Sequence, residues 1–355
     1  MGSAYREVLG VRDARSLISA SAASQLGDWL YNAALLGYVY SATGSATWVA
    51  AATIARLLPY VLLGPVGGVV ADRFDRRSVL LVGDVSRCLI MVLLATTVAS
   101  DGPVVLVIAF TTLASAAGTA ERPAAMALLP RLVGESKLGP ANALLHTVQD
   151  LGVVVGPVLG AVLLAVAPHS VAFLVNGLTF AVSAVFIATM RRGTKLTATL
   201  RAEGVHEQLS SGLRTVRATP FVMPLMLVVA MAEMTYGAQA VQLVLYAQHN
   251  LDLGASGYGY LLAATGVGGL LSAVFNGRLA TSTAVTAIVV TSGAVYCATQ
   301  LVFPATESLA FALAIAVVGG AGFVACEVVA ETALARIVPT ASLGRIMGVF
   351  DATSV

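Results

Sequence analysis

Charge is what this sequence has least of: 11% of its 355 residues are Asp, Glu, Lys or Arg and 58% are apolar, against about 25% charged in a typical soluble domain. A water-soluble fold is hard to build from that composition. Cysteine is scarce as well. Cys88, Cys297 and Cys326 fall inside apolar runs with no ligand-like spacing, so they read as ordinary apolar-face residues and no metal site is expected. The sequence contains no G-x-x-x-x-G-K-[ST] phosphate loop and no polar stretch large enough to bind ATP, which sets ATP-driven chemistry aside. It also lacks an H-E-x-x-H or Ser/His/Asp grouping, which argues against an embedded hydrolase. No resident cofactor is expected. The N-terminus does not have a signal-peptide layout, so the first apolar run is expected to be retained.

What the chain has is length in its apolar runs. An apolar helix of about 20 residues spans the hydrocarbon core, and ten runs qualify, at roughly 16–41, 47–71, 78–99, 103–126, 138–167, 170–190, 219–247, 256–279, 282–303 and 307–337. Strands of an outer-membrane barrel alternate over about ten residues, and these runs are twice as long and apolar all round. The expectation is an all-α, multi-pass membrane protein whose main partner is the lipid bilayer.

The positive charges test that count. All of the twenty Lys and Arg residues except Arg56, Arg87 and Arg122 fall in the N-terminal tail or in the even-numbered connections between runs. By the positive-inside rule this places the N-terminus and the central loop in the cytoplasm, and the membrane as the cytoplasmic one. The longest polar stretch, 191–218, has amphipathic helical spacing and reads as a linker on that surface, its charge reflecting topology and not nucleic-acid binding. The expected division is an N-terminal six-helix half, 1–190, that linker, and a C-terminal half, 219–355.

Between the second and third runs lies GVVADRFDRRSVL, from Gly68 to Leu80. Gly67 and Gly68 suit close helix approach, and Asp72, Arg73, Asp75, Arg76 and Arg77 sit at the membrane surface, where the arginines can bridge to acids or to helix carbonyls. The stretch resembles the loop signature G-x-x-A-D-R-x-G-R-R of the major facilitator superfamily, with Asp75 in place of the Gly. The surrounding LLPYVLLGPVGGVVADRFDRR resembles the efflux branch that includes enterobactin and macrolide exporters. In the fifth run, Gly152, Gly156, Pro157 and Gly160 resemble the antiporter signature G-x-x-x-G-P-x-x-G-G, with Ala161 replacing the last Gly. That stripe is smooth enough for close helix contact and for a gate between halves, and it favours export over uptake.

An internal repeat supports the same reading. At an offset of about 201 to 205 residues, Val66–Arg77 aligns with Val267–Arg278, Asp28-Trp-Leu-Tyr31 with Glu233-Met-Thr-Tyr236, and Pro130–Gly139 with Ala335–Gly344. The offset spans six helices, so the repeats run in parallel. The resemblance therefore implies a major-facilitator-type bundle of two parallel-repeat halves, with about ten transmembrane helices of an expected twelve. The sequence stops where an eleventh would begin, so the listed chain is a fragment, the gene is truncated, or a second chain supplies the rest.

Charges inside apolar runs are the candidates for function, because each costs about 2.5 to 3.5 kcal/mol to insert at the bilayer centre. In the first run Ser21, Gln25, Asp28 and Asn32 share one face, and Asp28 reads either as a proton carrier or as a structural acid bonded to a neighbouring helix. Arg56 in the second run is followed by Pro59 and Pro65, and the expectation is a kink with the guanidinium turned inward. Asp84 and Arg87 in the third share one face and read as a local ion pair that orients the helix against the Arg73–Arg77 loop. Arg122 comes too late in the fourth run to match the arginine that the superfamily often places there. His146, Gln149 and Asp150 share a face, either as a titrating pair or as polar lining. Glu327 and Glu331 are four apart, a like-charge pair suited to proton uptake or simply solvated near the cytoplasm.

The repeat matches Asp28 to Glu233, and the resemblance implies that the helices bearing them line a central cavity with Tyr31, Tyr236 and Gln239. Proton-coupled export of a small amphipathic or drug-like molecule is the leading expectation, with Asp28, Glu233, Asp150 and Glu327 as coupling candidates. The alternatives are an importer or facilitator of the same fold and a truncated membrane protein that does not transport.

Overall fold

The computed structural model describes residues 2–191, 222–279 and 282–337, and among these it contains helices and no strand. The expected linker beyond Arg191 and the start of an eleventh span lie outside the described residues. The chain separates into two compact units, Met1–Ala198 and Thr199–Val355.

The first unit holds α1 (Gly2–Gly10), α2 (Arg12–Thr43), α3 (Ala46–Arg73), α4 (Arg76–Ala99), α5 (Val104–Gly118), α6 (Glu121–Val133), α7 (Glu135–Val166) and α8 (His169–Thr189). The second holds α9 (Val222–His249), α10 (Gly254–Leu279), α11 (Val285–Val302), a short 3-10 turn at Phe303–Ala305 and α12 (Leu309–Ile337). Eight helices are long and apolar enough to cross a membrane: α3, α4, α5 with α6, α8, α9, α10, α11 with its 3-10 turn, and α12. Two of the ten expected spans are not among them. They lie in α2 and α7, each 32 residues long, and both carry the polar faces noted above. The physical reason is clearest for α2, which packs along both α7 and α8 and buries every residue from Leu30 to Tyr40. An interior helix can hold polar groups that a lipid-facing one cannot.

The first unit closes at one end on a core made by several helix termini at once. Leu17 and Ile18 of α2, Ala71 of α3, Leu80 of α4, Leu128 and Leu129 of α6, Leu145 of α7 and Ile187 of α8 are all buried there. Helices α5 and α6 form one span broken at Thr119 and Ala120, and Pro123 explains the break. Proline has no N–H to give the carbonyl four residues back, so it is tolerated only in a first helical turn. The carbonyl concerned is that of Thr119. It faces Gly67 of α3, where a Cβ would lie only 2.5 Å from it. By contrast α3 runs on as helix through Pro59 and Pro65.

In the second unit α12 lies along α10 and α11. A Cβ at Gly268 would strike the Val317 carbonyl, and one at Gly320 would strike that of Thr265. Paired glycines bring α10 and α12 into backbone contact, the way helices associate where no hydrophobic force drives them together.

Candidate functional site

The first unit gathers its intramembrane charges around one arginine. Arg87 of α4 is 3% exposed. Its Nη2 pairs with Asp84 Oδ1 at 3.0 Å and with Glu121 Oε2, and its Nη1 with Asp28 Oδ2 at 3.5 Å. The guanidinium also lies over the Phe180 ring, 4.1 Å from its centroid. Four helices thus meet on one cation: α2 through Asp28, α4 itself, α6 through Glu121 and α8 through Phe180.

Neutral donors hold the carboxylates in place. The Ser183 hydroxyl donates to Asp84 Oδ2 at 2.6 Å, Ser24 donates to Glu121 Oε1 at 3.3 Å, and the Asn176 amide donates to Asp28 Oδ1 at 3.5 Å. Asn176 reaches Asp28 because Gly27 leaves room, since a Cβ there would run into Thr179 and Asn176. Glu121 stands in the first turn of α6, where the helix dipole favours an anion.

The cluster is layered. The side chains of Arg87 and Asp84 are each 4% exposed, whereas those of Asp28 and Glu121 are both 27% exposed. An inner ion pair is sealed and two outer carboxylates reach the surface of the unit. Three carboxylates share one guanidinium, and Arg56, which stacks over Trp29 at 5.4 Å, is the next cation within electrostatic reach of Asp28. Fully ionised, the group is anionic. An unmatched charge at this depth calls for a proton or another cation.

These contacts revise the sequence reading of α4. Asp84 and Arg87 do pair, but they are anchored to Asp28 and Glu121 and not to the loop of arginines. That loop finds other partners. Asp75 caps α4, accepting from the Ser78 backbone N–H at 2.9 Å and from its hydroxyl at 2.7 Å, which accounts for an Asp where the signature has Gly. Arg76 donates to the Ala127 carbonyl at 2.9 Å, and Arg77 to those of Ile187 and Ala188 at 3.0 and 2.7 Å. The last two belong to the final turn of α8, whose carbonyls have no partner within the helix. Asp72 and Arg73 are exposed. Gly67 makes the close approach expected of it, and Gly68 does not, since a Cβ there would meet nothing within 4 Å.

The small-residue stripe of α7 lies against α2, inside the first unit. Gly152 faces Gln25, Gly156 faces Trp29 and Leu26, and a Cβ on Gly160 would come within 2.8 Å of the Leu30 carbonyl. Pro157, between them, is buried. Tyr31 and Asn32 are buried in the same unit, Tyr31 with its ring 6.2 Å from that of Phe173. Arg122 sits beside Glu121 at the head of α6 and is partly engaged elsewhere. The side chains of His146, Asp150 and Glu331 lie outside the described residues.

The second unit is built differently. Glu233 of α9 is partly buried, its Oε1 fully so and without a hydrogen-bond partner. Glu327 of α12 is close enough for the two charges to repel. Tyr236 stacks on Phe323 at 4.6 Å with an interplanar angle of 13°, and Phe323 also touches Tyr296 at 5.1 Å. The Tyr296 hydroxyl donates to Gln239 Oε1 at 2.8 Å, with both residues buried. Glu121 is the functional candidate that sequence reasoning passed over. The available signal was an acid in an apolar span, directly before the Arg122 that did draw notice.

A family model described as "transmembrane secretion effector" matches residues 10–355. Among curated relatives, the uncharacterized MFS-type transporter YfiS of Bacillus subtilis (strain 168) is 25% identical over 268 residues, 74% of this chain and 63% of that protein. Macrolide efflux protein A of Streptococcus pyogenes is 25% identical over 174 residues, 49% of this chain and 43% of that protein. The chain thus spans less than two thirds of the length of these relatives. Among solved structures, the nucleoside transporter NupG superposes with a TM-score of 0.73 at 12% identity, covering 97% of this chain and 87% of that one. That likeness establishes the bundle architecture alone. With the family model covering nearly the whole sequence, the chain belongs to the transmembrane secretion effector family of the major facilitator superfamily.

Proposed function

We propose that the protein is a secondary active exporter that carries small amphipathic molecules out across the cytoplasmic membrane in exchange for protons, by alternating access. The observation that carries this reading is the layered cluster around Arg87. Three carboxylates on one buried guanidinium leave an excess of negative charge, and Asp28 and Glu121 present that excess where a proton can arrive. A proton on Asp28 weakens its hold on Arg87, and the helices that meet there are then free to shift against one another. Moving an ionisable group between a paired and a protonated state is the way an intramembrane acid biases a bistable bundle. The direction is supported by the relative named as a macrolide efflux protein and by the small-residue stripe of α7. The cytoplasmic placing of the N-terminus and linker rests on the distribution of Lys and Arg.

The test is gradient-driven transport by the purified full chain in liposomes, with a fluorescent amphipathic dye as substrate. An imposed pH difference is expected to drive dye movement in the wild-type protein and not in Asp28→Asn. Equal dye movement in the two, with both proteins folded and inserted, overturns the assignment of Asp28. Dye movement that ignores the pH gradient overturns proton coupling.

A further inference from the structure

The repeat makes a residue-by-residue comparison of the two units possible, and the comparison is uneven. At the offset of about 205 residues that aligns Asp28 with Glu233, the other three members of the Arg87 cluster are replaced. Val289 stands for Asp84, Ser292 for Arg87 and Cys326 for Glu121. Ser292 bonds to the Ile288 and Val289 carbonyls of its own helix, and Cys326 is buried. Of the four positions, only the first keeps an ionisable acid.

Aromatic rings stand where the charges have gone. Phe323 takes the place of Gly118 and Tyr296 that of Met91, and these two rings with Tyr236 form the stack described above. Glu233 therefore has no guanidinium among the described residues. Its charged neighbour there is a second carboxylate, Glu327, and one of its own oxygens is buried with nothing to bond. Glu233, Tyr236 and Glu327 are each partly exposed, while Tyr296, Phe323 and Gln239 behind them are buried and fixed by the Tyr296–Gln239 hydrogen bond.

We propose that Glu233 and Glu327, backed by the stacked rings of Tyr236 and Phe323, form a recognition site for an amphipathic organic cation. The ligand supplies the positive charge that Arg87 supplies in the first unit. A carboxylate attracts an ammonium or phosphonium centre by charge, and aromatic faces attract it through their quadrupoles while covering its apolar substituents. A cation bearing aryl or alkyl groups satisfies both halves of this surface, whereas an anion is repelled and a neutral molecule of the same shape gains only the rings. The inference names the substrate class for the export reading above and rests on it only for the direction of transport.

The experiment is direct binding, with no gradient and no transport: titration of tetraphenylphosphonium into the purified full chain in nanodiscs, with triphenylphosphine oxide as a neutral comparison. Wild-type protein is expected to bind the cation saturably and the neutral compound at least 10-fold more weakly. Glu233→Gln is expected to weaken cation binding 10-fold or more and to leave the neutral compound unaffected, and Glu233→Asp to retain part of the affinity. Tyr236→Leu keeps both carboxylates and serves if Glu233→Gln fails to fold; it is expected to weaken binding several-fold. Absence of saturable binding in the wild type, or equal affinities in wild type and Glu233→Gln, or in wild type and Tyr236→Leu, overturns the site. Cation binding without gradient-driven dye movement supports the site and overturns the export reading; dye movement without cation binding does the reverse.

Discussion

Replacing Arg87 by Met is the perturbation that most directly tests how the first unit is held together. The side chain is 3% exposed and makes ion pairs to Asp28, Asp84 and Glu121 and a ring contact to Phe180. Met fills much of the same volume, so the change is chiefly electrostatic. Breaking a buried ion pair by removing one partner costs about 3 to 5 kcal/mol, because the remaining charge is left without compensation. Here three carboxylates lose their common cation. Asp28 and Glu121 can take up protons at the surface of the unit, but Asp84 is sealed, and the loss should therefore fall near that range. At about 2 to 4 °C per kcal/mol for a domain of this size, the midpoint drops by on the order of 10 °C. A thiol-reactive dye during a thermal ramp provides the assay, since Cys88 lies next to Arg87 on α4 and is only partly exposed when folded. Adding Asp84→Asn should recover about half of the loss, because the sealed carboxylate is the one that cannot adapt. Arg56→Met is the comparison: it removes a partly exposed guanidinium stacked on Trp29, worth roughly 0.5 to 1 kcal/mol. A loss below about 1 kcal/mol for Arg87→Met would refute the claim that this cation ties α2, α4, α6 and α8 together.

Adjacent glycines in α3 should respond oppositely to the same change. Gly67→Ala drives a Cβ into the Thr119 carbonyl and is expected to cost about 1 to 3 kcal/mol, while Gly68→Ala meets open space and is expected to gain about 0.5 to 1 kcal/mol from helix propensity; thermal midpoints that move in the same direction count against the packing. Asp75→Ala removes the cap of α4 and is expected to cost about 1 kcal/mol, whereas Asp75→Gly, the residue of the family signature, costs only a few tenths; urea titration of both variants in detergent separates them. Tyr296→Phe leaves Gln239 Oε1 without its donor and is expected to destabilise the second unit by about 1 to 3 kcal/mol, an effect that disappears in the paired variant with Gln239→Leu if the hydrogen bond is its source.

The fold was legible because its signals are local. Apolar length marks a span, the sites of Lys and Arg mark its sides, and a glycine-aspartate-arginine loop marks a surface turn. Each can be read within a dozen residues. The count of apolar spans failed where burial is tertiary, since α2 lies between α7 and α8 and its polar face has no need to suit lipid.

The candidate site was legible by residue and not by partner. Any acid or arginine in an apolar span is expensive, so Asp28, Asp84, Arg87 and Glu233 announce themselves, but nothing along the chain says which of them share a charge. Asp84 and Arg87 illustrate the difficulty. Their spacing of three gives a local pair, which the structure contains, yet the pair's other neighbours are on α2 and α6, and these bear on how the protein responds to a proton. The repeat shows the same limit. It correctly matched the sequence positions of Asp28 and Glu233, and it matched Glu327 to Arg122, while the residue that meets Arg87 is Glu121, one position earlier. On a helix one residue is a rotation of about 100 degrees, enough to move a side chain from one neighbour to another. Two helices with the same origin can thus carry their acids to different partners, a guanidinium for Asp28 and aromatic rings for Glu233, and that divergence gives the two units different chemistry on a shared architecture.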